Sequence, residues 1–254
     1  MLYTAAGAEC AARGNIDAMV IDFHSHILPE MDDGAKDLNM SVRMLRMTAE
    51  QGVQVQILSP HFYPWREKAD SFLRRREEAM ERLWSVSRDW WPVLLLGAEV
   101  AYVRGISELE LEELCIEDTR VLMLELPFES WDGAVTDDIA SLTLDRGYSL
   151  ILAHVERYMR YKGNRELLSE LAQLPLTVQM NAEAFIEHRT RRGALSLAEE
   201  YPCFILGSDA HGLESRVPDL EQGRKLVESK LGHAALRRVD RTGEALLDGV
   251  FVKE

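Results

Sequence analysis

The sequence predicts a barrel-like α/β fold of parallel strands, formed by a single domain. Three observations carry that expectation. Seven short apolar runs recur along the chain, stretches with helical periodicity separate them, and no linker or low-complexity block follows residue 18. At 254 residues, with 46% hydrophobic and 28% charged, the chain can bury one sizeable core. Barrels of this size routinely fold as single domains. No repeat longer than one strand–helix unit is visible.

The apolar runs are Met19–Phe23, Val53–Leu58, Val93–Ala98, Arg120–Leu126, Tyr148–Ala153, Leu176–Met180 and Phe204–Gly207. Val93–Leu96 and Leu150–Leu152 are apolar without alternation, the pattern of parallel strands covered on both faces. Helices are predicted between them. Asp37–Gln51 carries Met40, Leu45 and Met47 among charged positions, and Glu67–Trp84 intersperses Phe72, Leu73, Met80, Leu83 and Trp84 in the same way. Thr136–Arg146, Arg165–Gln173 and Ala194–Glu200 come next, and Asp219–Leu231 and His233–Leu247 finish the chain. Residues 1–18 contain Ala-rich patches but no basic segment leading into an apolar one. They read as a disordered extension or a misassigned start, with the single domain over 19–254.

The net charge of −14 argues against broad binding to nucleic acid or insertion at an anionic membrane, because both polyanions require a basic face. A local cationic pocket remains compatible with it. Cys10, Cys115 and Cys203 are far apart and odd in number, with no CxxC pair, which fits a reducing, cytoplasmic compartment. No apolar run approaches the roughly 20 residues of a membrane span.

The residues at the end of each run are more informative than the runs themselves. The first run ends in Asp22-Phe23-His24-Ser25-His26, the second in Ser59-Pro60-His61, the third in Gly97-Ala98-Glu99 and the fourth in Leu124-Glu125. The fifth ends in Ala153-His154 and the seventh in Ser208-Asp209-Ala210-His211. Five of the seven histidines thus fall just past a predicted strand. That is the face on which barrel enzymes build their sites. Any one of them alone reads as a hydrogen-bonded structural residue; so many on one rim do not. His188 and His233, in polar surroundings, read as surface residues. The His24-x-His26 spacing lets both imidazoles face the barrel axis. Imidazole with carboxylate suits Zn, Mn or Fe, and bridging carboxylates suit more than one metal. Asp33, on the first loop, can reach the same rim, whereas an acidic turn or helix cap fits Asp32 better.

These motifs resemble the polymerase and histidinol phosphatase (PHP) superfamily. More narrowly they are similar to its bacterial capsule-type protein-tyrosine phosphatases, which act on tyrosine kinases of polysaccharide export. The match runs through Ile21–Pro29, Asp32-Asp33-Gly34-Ala35, Ser59-Pro60-His61, Gly97-Ala98-Glu99-Val100, Leu124-Glu125-Leu126-Pro127, Ala153–Tyr158 and Ser208–His211, in the family's order over residues 19 to about 248. The resemblance implies a distorted seven-stranded, TIM-like (β/α)7 barrel with three divalent or trivalent metal ions, manganese first, with iron or zinc in the wider superfamily. It implies that His24, His26, Glu99 and Asp209 hold one metal. Glu99 would bridge to a second, completed by Glu125 and His154, while Asp33, His61 and His211 hold the third. Arg157 and Arg216 would grip the substrate phosphate. Two departures stand out: Pro60-His61-Phe62 where the family often has Pro-His-His, and His154-Val155-Glu156-Arg157 where it often has His-Pro-Glu-Arg. Neither removes a ligand; Phe62 and Tyr63 are expected to alter the pocket wall.

The implied function is hydrolysis of a phosphomonoester, with a phosphotyrosine protein, a capsule or exopolysaccharide tyrosine kinase, as partner. Three divalent ions against Asp33, Glu99, Glu125 and Asp209 leave about two positive charges, which a phosphomonoester of nearly two negative charges would neutralise. Metal polarisation lowers the pKa of bound water toward roughly 7, and a planar guanidinium grips phosphate bidentately. No Cys-x5-Arg loop is present, so a cysteinyl-phosphate route is not expected. The competing readings are a small-molecule phosphatase such as one acting on histidinol phosphate, a non-catalytic PHP metal-binding module, and metal-dependent amide or ester hydrolysis.

Overall fold

The computed structural model describes residues 18–250; apart from Ala18, the extension expected at 1–18 lies outside the described residues. The strands are β1 (Ile21–Asp22), β2 (Val55–Leu58), β3 (His61–Phe62), β4 (Val93–Leu96), β5 (Glu99–Ala101), β6 (Val121–Glu125), β7 (Ser149–Leu152), β8 (Leu176–Asn181) and β9 (Ile205–Gly207). They form an α/β fold with a curled parallel sheet. One group runs β1-β2-β4 and the other β3-β5-β6-β7-β8-β9, with every pair parallel.

Seven apolar runs have become nine strands because two short strands, β3 and β5, resume pairing beyond the ends of the second and third runs. Pro60 has no amide to donate to a ladder, and the Ser59 amide beside it turns to the Ser25 carbonyl at 2.9 Å. Gly97 and Ala98 break the neighbouring run at the same level. Pairing continues across both interruptions, since Gly97 N donates to Leu58 O at 2.9 Å and Glu99 N to Pro60 O at 3.0 Å. At the far edge, β9 reaches the chain beyond β1. Asp209 N donates to His24 O at 2.7 Å, His26 N to Ala210 O at 2.9 Å, and Ser25 pairs with Ala210 in parallel.

The period-two alternation of the strands divides the apolar residues into two cores. Ile21, Phe23, Val55, Ile57, Leu95, Val121, Met123, Ile151, Ala153 and Ile205 pack together inside the curl. Leu58, Leu94, Leu122, Leu124, Leu150, Leu152, Val178 and Met180 face the helices. Removing apolar surface of this kind from water is the main stabilising term, about 1.5–3 kcal/mol for each fully buried aliphatic side chain.

The helices lie close to their expected bounds. They are α1 (Leu38–Glu50), α2 (Ala69–Trp84), α3 (Gly133–Ala140), α4 (Asn164–Leu171), α5 (Ala182–Ile186), α6 (Arg191–Glu200), α7 (Leu220–Leu231) and α8 (His233–Leu246). Short α5 was not expected, and the predicted Thr136–Arg146 begins earlier, at Gly133, under the Asp132 side-chain cap. Its last turn, Ser141–Asp145, widens to a π-helix. Asp37, not Asp32, caps α1, accepting from Met40 N at 2.8 Å.

Candidate metal centre

The side chains at the strand ends converge on Glu99, at the start of β5. Its Oε2 lies 2.8 Å from Nδ1 of His61, 3.2 Å from Nε2 of His24 and 3.4 Å from Nε2 of His26. Its Oε1 lies 2.8 Å from Nε2 of His154. Asp209 brings Oδ1 to 3.6 Å and 3.4 Å from Nε2 of His24 and His26, which are themselves 3.2 Å apart. Glu125 Oε1 is 3.5 Å from His154 Nε2, and Asp33 Oδ1 is 3.5 Å from Nε2 of both His61 and His211.

All nine expected ligand residues therefore lie in one cluster. Ligand-type atoms gather there as His24–His26–Asp209, as His61–Glu99–Glu125 and as His26–Asp33–His61–His211. This grouping differs from the sets implied by family resemblance: His26 also approaches the Asp33 group, His61 takes the place of His154 beside Glu99 and Glu125, and Glu99 stands outside the His24–His26–Asp209 group. His188 and His233 are exposed, as expected.

The backbone explains how strand ends deliver these groups. Glu99 and Glu125 continue the inward parity of Leu95 and of Val121 and Met123. His154 comes just after β7 in a left-handed conformation, φ 32° and ψ 53°, while Asp209 and Arg216 also have positive φ, 51° and 47°. Strained non-glycine residues gathered at one place are typical of functional sites. Gly34 lets the Asp33 loop lie against the first strand end, for a Cβ there would meet His26 O at 2.1 Å.

Neighbouring polar groups fix which nitrogen each imidazole presents. Gln179 Oε1 already accepts from His154 N at 2.7 Å and lies 3.1 Å from His24 Nδ1, so that nitrogen carries the proton. His26 Nδ1 lies 2.7 Å from Asp32 Oδ2, and His211 Nδ1 lies 2.8 Å from the Asp209 carbonyl. In the neutral form of all three rings the lone pair is left on Nε2, directed at the cluster, the arrangement that outer hydrogen bonds impose on metal-binding histidines. Asp32 also accepts from Gly34 N at 3.0 Å and His61 N at 2.9 Å, tying the two loops together. Asn181 Nδ2 donates to Asp209 Oδ2 at 2.9 Å, and Asn181 Oδ1 accepts from Gln179 Nε2 at 2.9 Å.

The electrostatics fit a cation. Burial opposes charge on His26, yet Asp32 lifts it well above the ordinary imidazole value. Burial likewise opposes ionisation of Glu99, yet His24 and His61 hold it well below the carboxylate range. His211 goes the other way, pushed down to about 4 by burial and then by His26, which keeps it a neutral donor. Glu99 Oε2, His61 Nδ1 and His211 Nε2 are buried and make no aligned hydrogen bond, although the first two lie 2.8 Å apart. Such groups are costly to leave unsatisfied, and metal coordination would satisfy each of them.

Arg157 and Arg216 stand at the edge, about one-third exposed, with Nη2 atoms 2.6 Å and 2.7 Å from Oδ2 and Oδ1 of Asp209. Arg216 Nε is buried and makes no hydrogen bond. Of the two residues expected to alter the pocket wall, one turns away from the cluster and the other lies beside it. Phe62 is 3% exposed and packs on Phe72 with ring centroids 5.1 Å apart, because it faces the helix side of β3. Tyr63 stacks on His61 at 5.2 Å.

Sequence reading missed the orienting roles of Asp32, Gln179 and Asn181. The signal was present in Leu176–Asn181, where Thr177, Gln179 and Asn181 alternate with Leu176, Val178 and Met180 and so share one face.

Fold and site together define a class: an α/β protein with a buried His–carboxylate cluster suited to several metal ions. Residues 20–245 match the family model described as capsular polysaccharide synthesis, CpsB/CapC, and the chain belongs to that family. It is 26% identical over 247 residues to the tyrosine-protein phosphatase CpsB of Streptococcus pneumoniae, covering 90% of this chain and 99% of that one. It is also 26% identical over 234 residues to the tyrosine-protein phosphatase YwqE of Bacillus subtilis (strain 168), covering 90% and 91%. The crystal structures of YwqE and CpsB, described as unique metal-dependent tyrosine phosphatases, include a chain that superposes with a TM-score of 0.79 at 26% identity, covering 90% of this chain and 94% of that chain.

Proposed function

We propose that this protein is a metal-dependent protein-tyrosine phosphatase of capsular or exopolysaccharide synthesis, acting in the cytoplasm on a tyrosine kinase of that system. The observation that carries the reading is the gathering of five histidines and four carboxylates in one cluster centred on Glu99, beside two arginines. The strands are read as seven lines closed into a distorted barrel through the Ser25–Ala210 pairing. His24, His26, Glu99 and Asp209 would hold one metal, Glu99, Glu125 and His154 a second, and Asp33, His61 and His211 a third, with manganese the first candidate. Such ions supply Lewis acidity toward phosphoryl oxygens and lower the pKa of a bound water.

The chain's own residues do the rest. Arg216 and Arg157, each about one-third exposed, present planar donors that match phosphate oxygens and stabilise charge developing on them. Asp32, Gln179 and the Asp209 carbonyl keep three imidazoles in one tautomer, so no reorganisation is required when charge develops. A phenolate leaving group, of parent pKa about 10, requires little help from a general acid.

Turnover of a phosphotyrosine peptide and of histidinol phosphate by manganese-loaded protein tests the reading. We expect the peptide to be the better substrate; turnover confined to histidinol phosphate would replace the assignment by a small-molecule phosphatase.

A further inference from the structure

Two aromatic groups that belong to no metal set flank the Glu99 cluster. On one side Tyr63 stacks on His61 at an interplanar angle of 28°, and Trp65 meets Tyr63 at 5.3 Å while staying 61% exposed. The Arg66 guanidinium lies over the Tyr63 ring, 4.3 Å from its centroid. On the other side Phe128, in the loop after β6, stacks on His154 with centroids 5.7 Å apart and planes at 19°, and is 42% exposed. His61 and His154 contact different oxygens of Glu99, so the two aromatic groups stand to either side of it.

Neither group is there through loose packing. The Phe128 loop is held at both ends, by Tyr158 Oη accepting from Leu126 N at 3.0 Å and by Trp131 Nε1 donating to Pro127 O at 3.1 Å. The Tyr63 carbonyl accepts from Arg66 N at 2.9 Å and Glu67 N at 3.3 Å, which fixes the turn carrying Trp65. Scattered exposed apolar residues are ordinary. Rings held on rigid loops against the imidazoles of a reaction site are a different matter, since aromatic surface kept in water at a ligand site is the usual recognition element for an apolar part of the ligand.

We propose that Tyr63 and Trp65 on one side and Phe128 on the other form an aromatic rim that grips the aryl ring of the substrate and selects aryl over alkyl phosphomonoesters. This rests on the phosphatase reading above. The phosphate end is bound by the buried cluster and the arginines, and the rim acts only on what the phosphate is attached to. Tyr63, Trp65 and Phe128 are thus specificity-determining residues, separable from the chemistry.

The test is calorimetric titration of the manganese-loaded full chain with two non-hydrolysable probes, phenylphosphonate and methylphosphonate. The parent protein should bind the phenyl probe about tenfold more tightly, the scale of ring stacking together with apolar burial. Trp65→Ala and Phe128→Ala should each cut that ratio severalfold. Phe128→Leu, which keeps apolar bulk without a ring, should cut it as well. A ratio near one in the parent protein, or a ratio unmoved by all three variants, would overturn the rim while leaving the phosphatase reading intact. Binding of neither probe would overturn the phosphate site itself, and the rim with it.

Discussion

The floor of the metal centre and its rim are built on opposite principles. On the floor, His24, His26, Glu99, His154 and Asp209 are all 2% exposed or less. Asp32, Gln179 and Asn181 orient them through hydrogen bonds inside the protein. At the rim the Asp33 side chain is 67% exposed, the arginines are about one-third exposed, and Trp65 and Phe128 face water. Buried polar networks are worth having only when every member is satisfied. The floor therefore tolerates almost no substitution, while the rim can vary without unfolding the site. On the proposed reading the chemistry belongs to the first region together with Asp33 and the two arginines at its edge, and the choice of substrate to the exposed rings of the second.

Breaking the floor should have the largest effect. Glu99→Gln preserves shape but removes the charge that His24, His61 and His154 all approach. Metal content measured after manganese loading should fall below the parent's, and phosphomonoester turnover should drop by on the order of a thousandfold, the scale of several kcal/mol of metal-derived stabilisation. Retained metal and activity would show that the buried convergence is structural only.

At the rim the comparison sharpens. Arg216→Ala should leave metal content unchanged and lower kcat/KM by about ten- to a hundredfold, the worth of one charge-assisted hydrogen bond to phosphate. Its Nη2 also holds Asp209. Loss of metal in this variant would move Arg216 from the rim to the floor.

The sequence made the floor's ligands legible because each sits immediately after an apolar run, where chain order alone places it on the rim of a parallel sheet. The seven expected strands and seven expected helices were legible for the same reason, whereas β3, β5 and α5 were not. Three features of the site were not legible either. Asp32 looked like a helix cap, and only the folded loop reveals that it faces His26 and His61 while Asp37 caps α1. Phe62 and Tyr63 are adjacent and similar in character, yet strand parity buries one and puts the other beside His61. The ring of Phe128 meets His154 across 26 positions of chain, a relation that no local pattern carries.

The smallest effect is expected outside both regions, at Asp138 on α3. Its carboxylate accepts from Tyr102 Oη at 2.8 Å, Gly105 N at 2.9 Å and Ser107 Oγ at 2.8 Å, pinning the segment just after β5. Burial raises its pKa, but the Gly105 amide and the two hydroxyls outweigh burial and hold it below the ordinary value of 3.8. A depressed carboxyl contributes stability that is fully present above its unfolded value and is lost as pH falls through its folded one. Asp138→Ala should therefore lower the melting temperature near neutral pH by a few degrees, leaving kcat/KM within about twofold, since three donors lose their acceptor. The difference in melting temperature from the parent should shrink as pH drops below 3.8, because the parent's carboxylate is then being protonated too. A difference that stays constant from neutral pH to below that value would mean that Asp138 acts through packing and not through its charge.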